Sequence, residues 1–328
     1  EQAATADAPP LPSNIQNALI ARFDRLPLAE RYMLQMAAVI GPQFDRPVLD
    51  GIAGTQEALG GALARLAERG IVRALGDGQY RFAHSLNQET IYESMLFAQR
   101  REIHRRVAAF VRAQQPARAA AEPGLLAFHY RNAESWPEAL EFAWIAGQRA
   151  QELYASDVAL THYQHALEAA ERSDTAPARR QRALILRRIG DLPALAGRLA
   201  EATHTYASAL AASEDQREQA EILIAWTEVC EGQAAYDDAL AHLAQAESRL
   251  GPADNALLLR IGVRRGWVLV RSGDNAAAQD AVAPCLAPLE ALGSWGDLLL
   301  AYKVFFHIGM SQSRWREARS YLRLAITN

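Results

Sequence analysis

Five times in the second half of this chain an alanine is followed four residues later by an apolar side chain and seven residues later by a second small one: Ala159/Tyr163/Ala166, Ala202/Tyr206/Ala209, Ala239/Leu243/Ala246, Ala278/Val282/Cys285 and Ala318/Leu322/Ala325. Steps of four and three place all three residues of a set on one face of a helix. The first alanines are separated by 43, 37, 39 and 40 residues. A helical unit recurring at that period cannot bury its apolar face alone, so the face must be covered by the next unit in a stack. Twelve positions before each set stand Gly147, Gly190, Thr227, Gly266 and Phe306; three of the five are glycine, which lets two helices of a pair approach closely.

These features predict a tetratricopeptide-like array over residues 117–328, its period somewhat above the 34 residues of the ideal repeat. Gly273-Asp274 reads as a turn between the helices of one pair, and Trp315 lies three positions before Ala318. A leading helix with Phe128-His129-Tyr130 follows a Pro/Ala-rich break at residues 116–123. Five pairs should curve into a groove lined by the first, or A, helix of each pair. Trp144, Trp226 and Trp267 fall in A helices among mixed charge, which points to a protein or peptide effector there rather than nucleic acid; the competing expectation is that each tryptophan fills the core between repeats.

The first hundred residues have a different pattern. Residues 1–12, rich in Ala and Pro, read as a linker. Ser13/Gln16 is a capping-box spacing that opens a helix with Ile15, Leu19 and Phe23 on one face. A second helix carries Leu28, Tyr32, Met36 and Ile40 up to Gly41-Pro42, a third spans about 47–53, and Thr55 caps a fourth with Leu59, Leu63 and Leu66 inward, ended by Gly70. Strand-like runs at 71–75 and 79–82 then flank Gly76-Asp77-Gly78, a hairpin turn. Helices followed by one hairpin make a winged-helix pattern over residues 13–116. The expected fold class is all-α with a small β-hairpin wing, a winged-helix domain followed by a tetratricopeptide-like α-solenoid.

After the hairpin, Ser85 and Gln88 repeat the capping-box spacing and predict a single long helix from near Leu86 to Gln114, with His84 just outside its N-terminus. Free amides and the positive end of the helix dipole make that junction a candidate phosphate site; a packing histidine is the competing reading. The helix before the hairpin balances Arg65 and Arg69 against Glu57 and Glu68, and the cluster Arg100, Arg101, Arg105, Arg106 reads as a solvated face.

A net charge of −4 and a pI near 6.1 argue against a dedicated nucleic-acid or membrane-surface protein. Lys303 is the only lysine, a coding bias toward arginine. Cys230 and Cys285 are isolated, without metal-ligand spacing, and read as reduced core thiols of a cytoplasmic protein; His129, His162, His165, His204 and His242 read as packing or surface residues. No P-loop, GxSxG or GxGxxG occurs, so no catalytic and no metal residue is assigned. No apolar run reaches membrane-spanning length, and there is no signal peptide. Beginning at Glu1 without Met and ending in an unfinished helical pattern, the chain reads as a piece of a larger protein.

The series Ile15-Gln16, Ala21-Arg22-Phe23-Asp24-Arg25-Leu26-Pro27, Leu34-Gln35-Met36-Ala37-Ala38-Val39-Ile40-Gly41, Phe82-x-His84-x-Leu86-x-Gln88-Glu89-x-x-Tyr92 and Arg100-Arg101-x-x-His104 resembles the region after the ATPase in bacterial STAND proteins. These are signal-transduction ATPases with numerous domains, often adenylate/guanylate cyclases with an ATPase module and tetratricopeptide repeats, or LuxR-type regulators. The resemblance covers about residues 13–171. It implies a P-loop ATPase upstream in the same chain, with ATP or ADP and Mg bound in the full-length parent and no cofactor in this segment. In related STAND proteins a Met-His-Asp motif holds a histidine against ADP in the resting state. His84 matches that histidine, and Ser85 stands where the motif has Asp. The implied function is a non-catalytic regulatory segment that relays nucleotide state through the winged helix and binds an effector through the repeats; the alternative is a DNA-binding segment of a transcription regulator.

Overall fold

The computed structural model describes residues 13–54, 61–173 and 175–327, and divides the chain into two compact units, residues 1–149 and 150–328. The predicted linker and the Thr55 and Leu59 positions lie outside the described residues. Among the described residues no helix is long and apolar enough to cross a membrane.

The first unit opens with helices α1 (Ser13–Asp24) and α2 (Leu28–Ile40), strand β1 (Gln43–Asp45), and helices α3 (Arg46–Ala53) and α4 (Ala62–Glu68). The hairpin follows as β2 (Val72–Gly76) and β3 (Gln79–Phe82). Its turn runs through three residues of positive φ, Gly76, Asp77 and Gly78, which two glycines make inexpensive. The sheet has three antiparallel strands in the order β1-β3-β2. Strand β1 was not foreseen: three residues are too short to show alternation, and only pairing with β3, Phe44 opposite Tyr80, defines them. Phe44, Val72 and Phe82 form the buried face, with the Phe44 and Phe82 rings 5.7 Å apart.

Beyond the sheet, the expected single helix is two, α5 (Ser85–Ser94) and α6 (Phe97–Gln114). Met95 and Leu96 are extended at the break, where Met95 enters the core and Leu96 stays 77% exposed. Neither Gly nor Pro marks this corner; burying Met95 in place of its neighbour decides it. The Pro/Ala-rich stretch is itself helical, α7 (Pro116–Ala121) and α8 (Pro123–Asn132), each with proline in its first turn, where the missing N–H costs nothing. α8 packs on α6 inside the first unit, and α9 (Trp136–Glu152) follows; the structural division at 149/150 therefore falls after the compositional break at 116–123.

The second unit contains α10 (Ser156–Ser173), α11 (Ala176–Leu195), α12 (Leu199–Ala212), α13 (Gln216–Gly232), α14 (Tyr236–Ser248), α15 (Asn255–Ser272), α16 (Asn275–Val282), α17 (Leu286–Leu292), α18 (Trp295–Ser311) and α19 (Trp315–Thr327). It is a tetratricopeptide-like array in which α11/α12, α13/α14, α15/α16 and α18/α19 are the closely packed pairs. The repeated alanine sets are buried as the period requires, from Ala159, Tyr163 and Ala166 through Ala278, Val282 and Cys285 to Ala318. In two pairs the A-helix glycine meets the middle residue of its set: a Cβ on Gly190 would lie 3.3 Å from the Tyr206 ring, and one on Gly266 would collide with Val282. In the last pair the close approach belongs to Gly309, against Ala318, and not to Phe306.

The turn five residues before each leading alanine has a left-handed residue: Tyr154, Gly197, Ala234, Gly273 and Ser313. The next N–H reaches back to a carbonyl of the preceding helix, as in Arg198 to Pro193 at 2.8 Å and Asp274 to Leu269 at 2.9 Å. These bonds satisfy the carbonyls that a helix end leaves open. Only Gly197 and Gly273 of the five are glycine, so the turns at Tyr154, Ala234 and Ser313 have no glycine to mark them in the sequence.

Candidate functional site

His84 is the residue just before α5, in extended conformation and exposed, and its side chain makes no capping bond. The predicted Ser85/Gln88 capping box does not form. The helix starts at Ser85, and Gln88 Nε2 instead donates to the carbonyl of Ala38 on α2 at 2.7 Å, tying α5 to that helix. The first-turn amides of α5 are thus left without a side-chain cap beside an exposed imidazole.

The helix before the hairpin is bound inward. Arg65 Nε lies 2.7 Å and Arg69 Nη1 3.2 Å from the two carboxylate oxygens of Glu30, a fully buried side chain of α2. A buried carboxylate holding two guanidinium groups removes from α4 the charges a phosphate backbone would need. The later arginine cluster is similarly engaged: Arg100 lies over the Tyr92 ring, Arg101 pairs with Glu134 at 2.8 Å, Arg105 with Glu102, and Arg106 donates to Tyr32 Oη at 3.0 Å.

His129, read from the sequence as a packing or surface residue, and His104, which stood only in the motif series, form a buried pair between α6 and α8 with their Nδ1 atoms 2.8 Å apart. Tyr92 Oη on α5 is 3.0 Å from His104 Nε2. Only one proton fits between the two Nδ1 atoms, so Tyr92, His104 and His129 form a relay of neutral groups that ends at His129 Nε2, buried and without a hydrogen-bond partner. Burial, and then Arg100, lowers the pKa of His104 to about 4. Burial, then His104 and Arg118, lowers that of His129 to about 3. Neither the His104 nor the His129 motif revealed the other, because they stand 25 positions apart in the chain.

In the second unit, the A helices α11, α13, α15 and α18 line a cleft of about 580 Å³. α11 contributes Arg187, and the other three present residues on one helical face: Glu221, Ile224, Ala225 and Glu228 from α13, Arg260 and Arg264 from α15, and Gly296, Leu299, Leu300 and Lys303 from α18. Every neighbouring pair of these helices is joined by an ion pair. Arg187 meets Glu221 at 2.7 Å, Arg264 meets Glu228, and Arg260 meets Asp297 at 3.1 Å, with Ser294 Oγ donating to the same carboxylate.

Trp226 and Trp267 both meet the second expectation, filling the core between repeats. Trp226 packs between Tyr206 and His242, with ring centroids 6.4 and 4.4 Å away, and is part of the inter-repeat core. Trp267 is also buried, but its ring face carries the Lys303 ammonium at 4.2 Å. Burial pushes the pKa of the nearby Glu231 carboxyl up, against the opposing effect of Arg264.

Cys230 and Cys285 are buried free thiols. Burial, and then Asp238, pushes Cys230 up to about 11, and burial raises Cys285, which makes both poor nucleophiles. Among the described residues no group of three His, Cys, Asp or Glu is placed to hold a metal. What the cleft offers is recognition: alternating charge, an apolar strip and one stacked cation.

No protein-family model matches the chain. An uncharacterized protein of Rhizobium meliloti (strain 1021) is 33% identical over 174 residues, which is 51% of this chain and 17% of that protein; the chain thus spans about one sixth of the length of the curated relative it matches. Among solved structures, a Rap protein complexed with competence and sporulation factor resembles 96% of this chain over 76% of its own length, with a TM-score of 0.51 at 13% identity. A STAND protein with a tetratricopeptide repeat sensor from Pyrococcus horikoshii is similar over 98% of this chain and 53% of its own, with a TM-score of 0.40 at 12% identity. At such identities the Rap likeness is one of fold, and it agrees with the helical array described above.

Proposed function

We propose that the chain is the non-catalytic regulatory and protein-interaction segment of a multidomain STAND ATPase, in which a winged helix relays nucleotide state and the repeat unit captures a protein or peptide. The observation that carries the interaction half is the cleft on the A helices, lined by charged side chains from four successive A helices and by apolar ones from α13 and α18. It is supported by the likeness of fold to a Rap protein, which is itself complexed with competence and sporulation factor. The relay half draws on the motif series around His84 and on its exposed position before the uncapped α5. There a nucleotide phosphate held by an upstream ATPase domain would find amides and an imidazole together.

The DNA-binding alternative is disfavoured by Glu30, which engages both arginines of the helix before the hairpin. Capture with the immobilised chain, followed by mass spectrometry, tests the proposal. Gly296→Glu and Leu299→Asp, both at exposed positions of the cleft, should abolish capture of the partner at unchanged melting temperature, while random duplex DNA at low salt should not be retarded. Capture unaffected by both substitutions, or strong retardation of DNA, would reject it.

A further inference from the structure

The charges lining the cleft do not cancel locally. Its carboxylates, Glu221, Glu228 and Asp297, are each engaged by an arginine of a neighbouring A helix, Arg187, Arg264 and Arg260. Arg217 adds a second guanidinium 3.8 Å from Glu221. The fourth cation of the lining, Lys303, has no carboxylate within ion-pair distance among the described residues. Its ammonium rests on the Trp267 ring, itself held in the core between repeats. A ring face orients an ammonium without neutralising it, so the cation stays available to a ligand anion. Beside it on α18 lie Leu299, half-exposed, and Leu300, and across the cleft Ile224 and Ala225.

We infer that the cleft selects an extended acidic peptide segment, apolar residues alternating with carboxylates, one of which pairs with Lys303; this rests on the reading of the cleft as a peptide-binding surface. Charge complementarity sets the sign: an acidic side chain meets the one uncompensated cation, whereas a basic one meets Lys303 and arginines whose counter-charges are already taken. Four helices at roughly 10 Å spacing span about 30 Å. An extended chain covers that in roughly nine residues.

The probes are fluorescein-labelled nonapeptides in which leucine alternates with glutamate, glutamine or lysine, titrated with the 328-residue chain by fluorescence anisotropy. The glutamate peptide should bind on the order of tenfold more tightly than the glutamine peptide at low salt, and the gap should narrow as salt is added. Lys303→Gln should erase the difference, Lys303→Arg should keep it, and Leu299→Asp should weaken every peptide that binds. Equal affinity for the glutamate and glutamine peptides, or a preference that survives Lys303→Gln, overturns the acidic selectivity and leaves peptide binding standing. Failure of all three peptides to bind overturns both.

Discussion

Gly266 on α15 faces Val282 on α16 so closely that a Cβ at position 266 would lie 2.1 Å from Val282 Cγ2 and 3.2 Å from the Ala278 carbonyl oxygen. The methyl of Val282 can rotate away, but the backbone oxygen cannot. Gly266→Ala should therefore separate the two helices and lower stability by about 1–3 kcal/mol, as overpacking of a filled core does. Urea unfolding measures it, and the double variant with Val282→Ala should recover part of the loss. A Gly266→Ala protein as stable as the parent would show that this approach is not required.

Ala234, in the turn before α14, is exposed and left-handed at φ 56°. Its Cβ is strained there, whereas glycine adopts the same conformation freely. Ala234→Gly should raise stability by about 0.5–1 kcal/mol, and Gly273→Ala, at φ 98° in the corresponding turn, should lower it by a similar amount. Thermal melts of the two variants should move in opposite directions; shifts of the same sign would refute the common role of these turns.

The His104–His129 pair predicts acid lability. Both imidazoles stay neutral in the fold, with pKa values lowered to about 4 and about 3, and take up protons near 6.5 when unfolded. The unfolded chain thus binds more protons below 6.5. Their contribution is complete above that pH and is lost as pH falls toward 4. At pH 5 the loss approaches about 2 kcal/mol per histidine as an upper limit. The groups facing the pair, Tyr92, Arg100 and Arg118, include no carboxylate to offset an added charge. Replacing both by leucine should flatten stability between pH 6.5 and 5; a slope as steep as in the parent would exclude the pair as its source.

In the full-length parent, His84→Ala should loosen the ADP-bound resting state, because alanine cannot donate to a phosphate beside the α5 N-terminus. A charge-assisted hydrogen bond of roughly 1.5–3 kcal/mol corresponds to a ten- to hundredfold shift in the switch equilibrium. ADP affinity and basal output are the readouts, and no change in either would leave His84 a surface residue.

The sequence by itself determined the helical array, because a buried face repeated every 37–43 residues is a local periodicity that needs no partner to be seen. It determined the hairpin in the same way, through a Gly-Asp-Gly turn between two short apolar runs. Tertiary structure alone decided the rest. Strand β1 exists only as the neighbour of β3, and the break at Met95–Leu96 only because Met95 is drawn into a core built by other helices. Gln88 abandons a local cap for the Ala38 carbonyl 50 residues away. Two histidines that read as independent become one proton-sharing pair, and the only lysine becomes the cation left over when four helices have matched their other charges. The physical reason is common to all of these: hydrogen bonds, ion pairs and burial are settled between elements distant in the chain, where side-chain spacing along one helix holds no information.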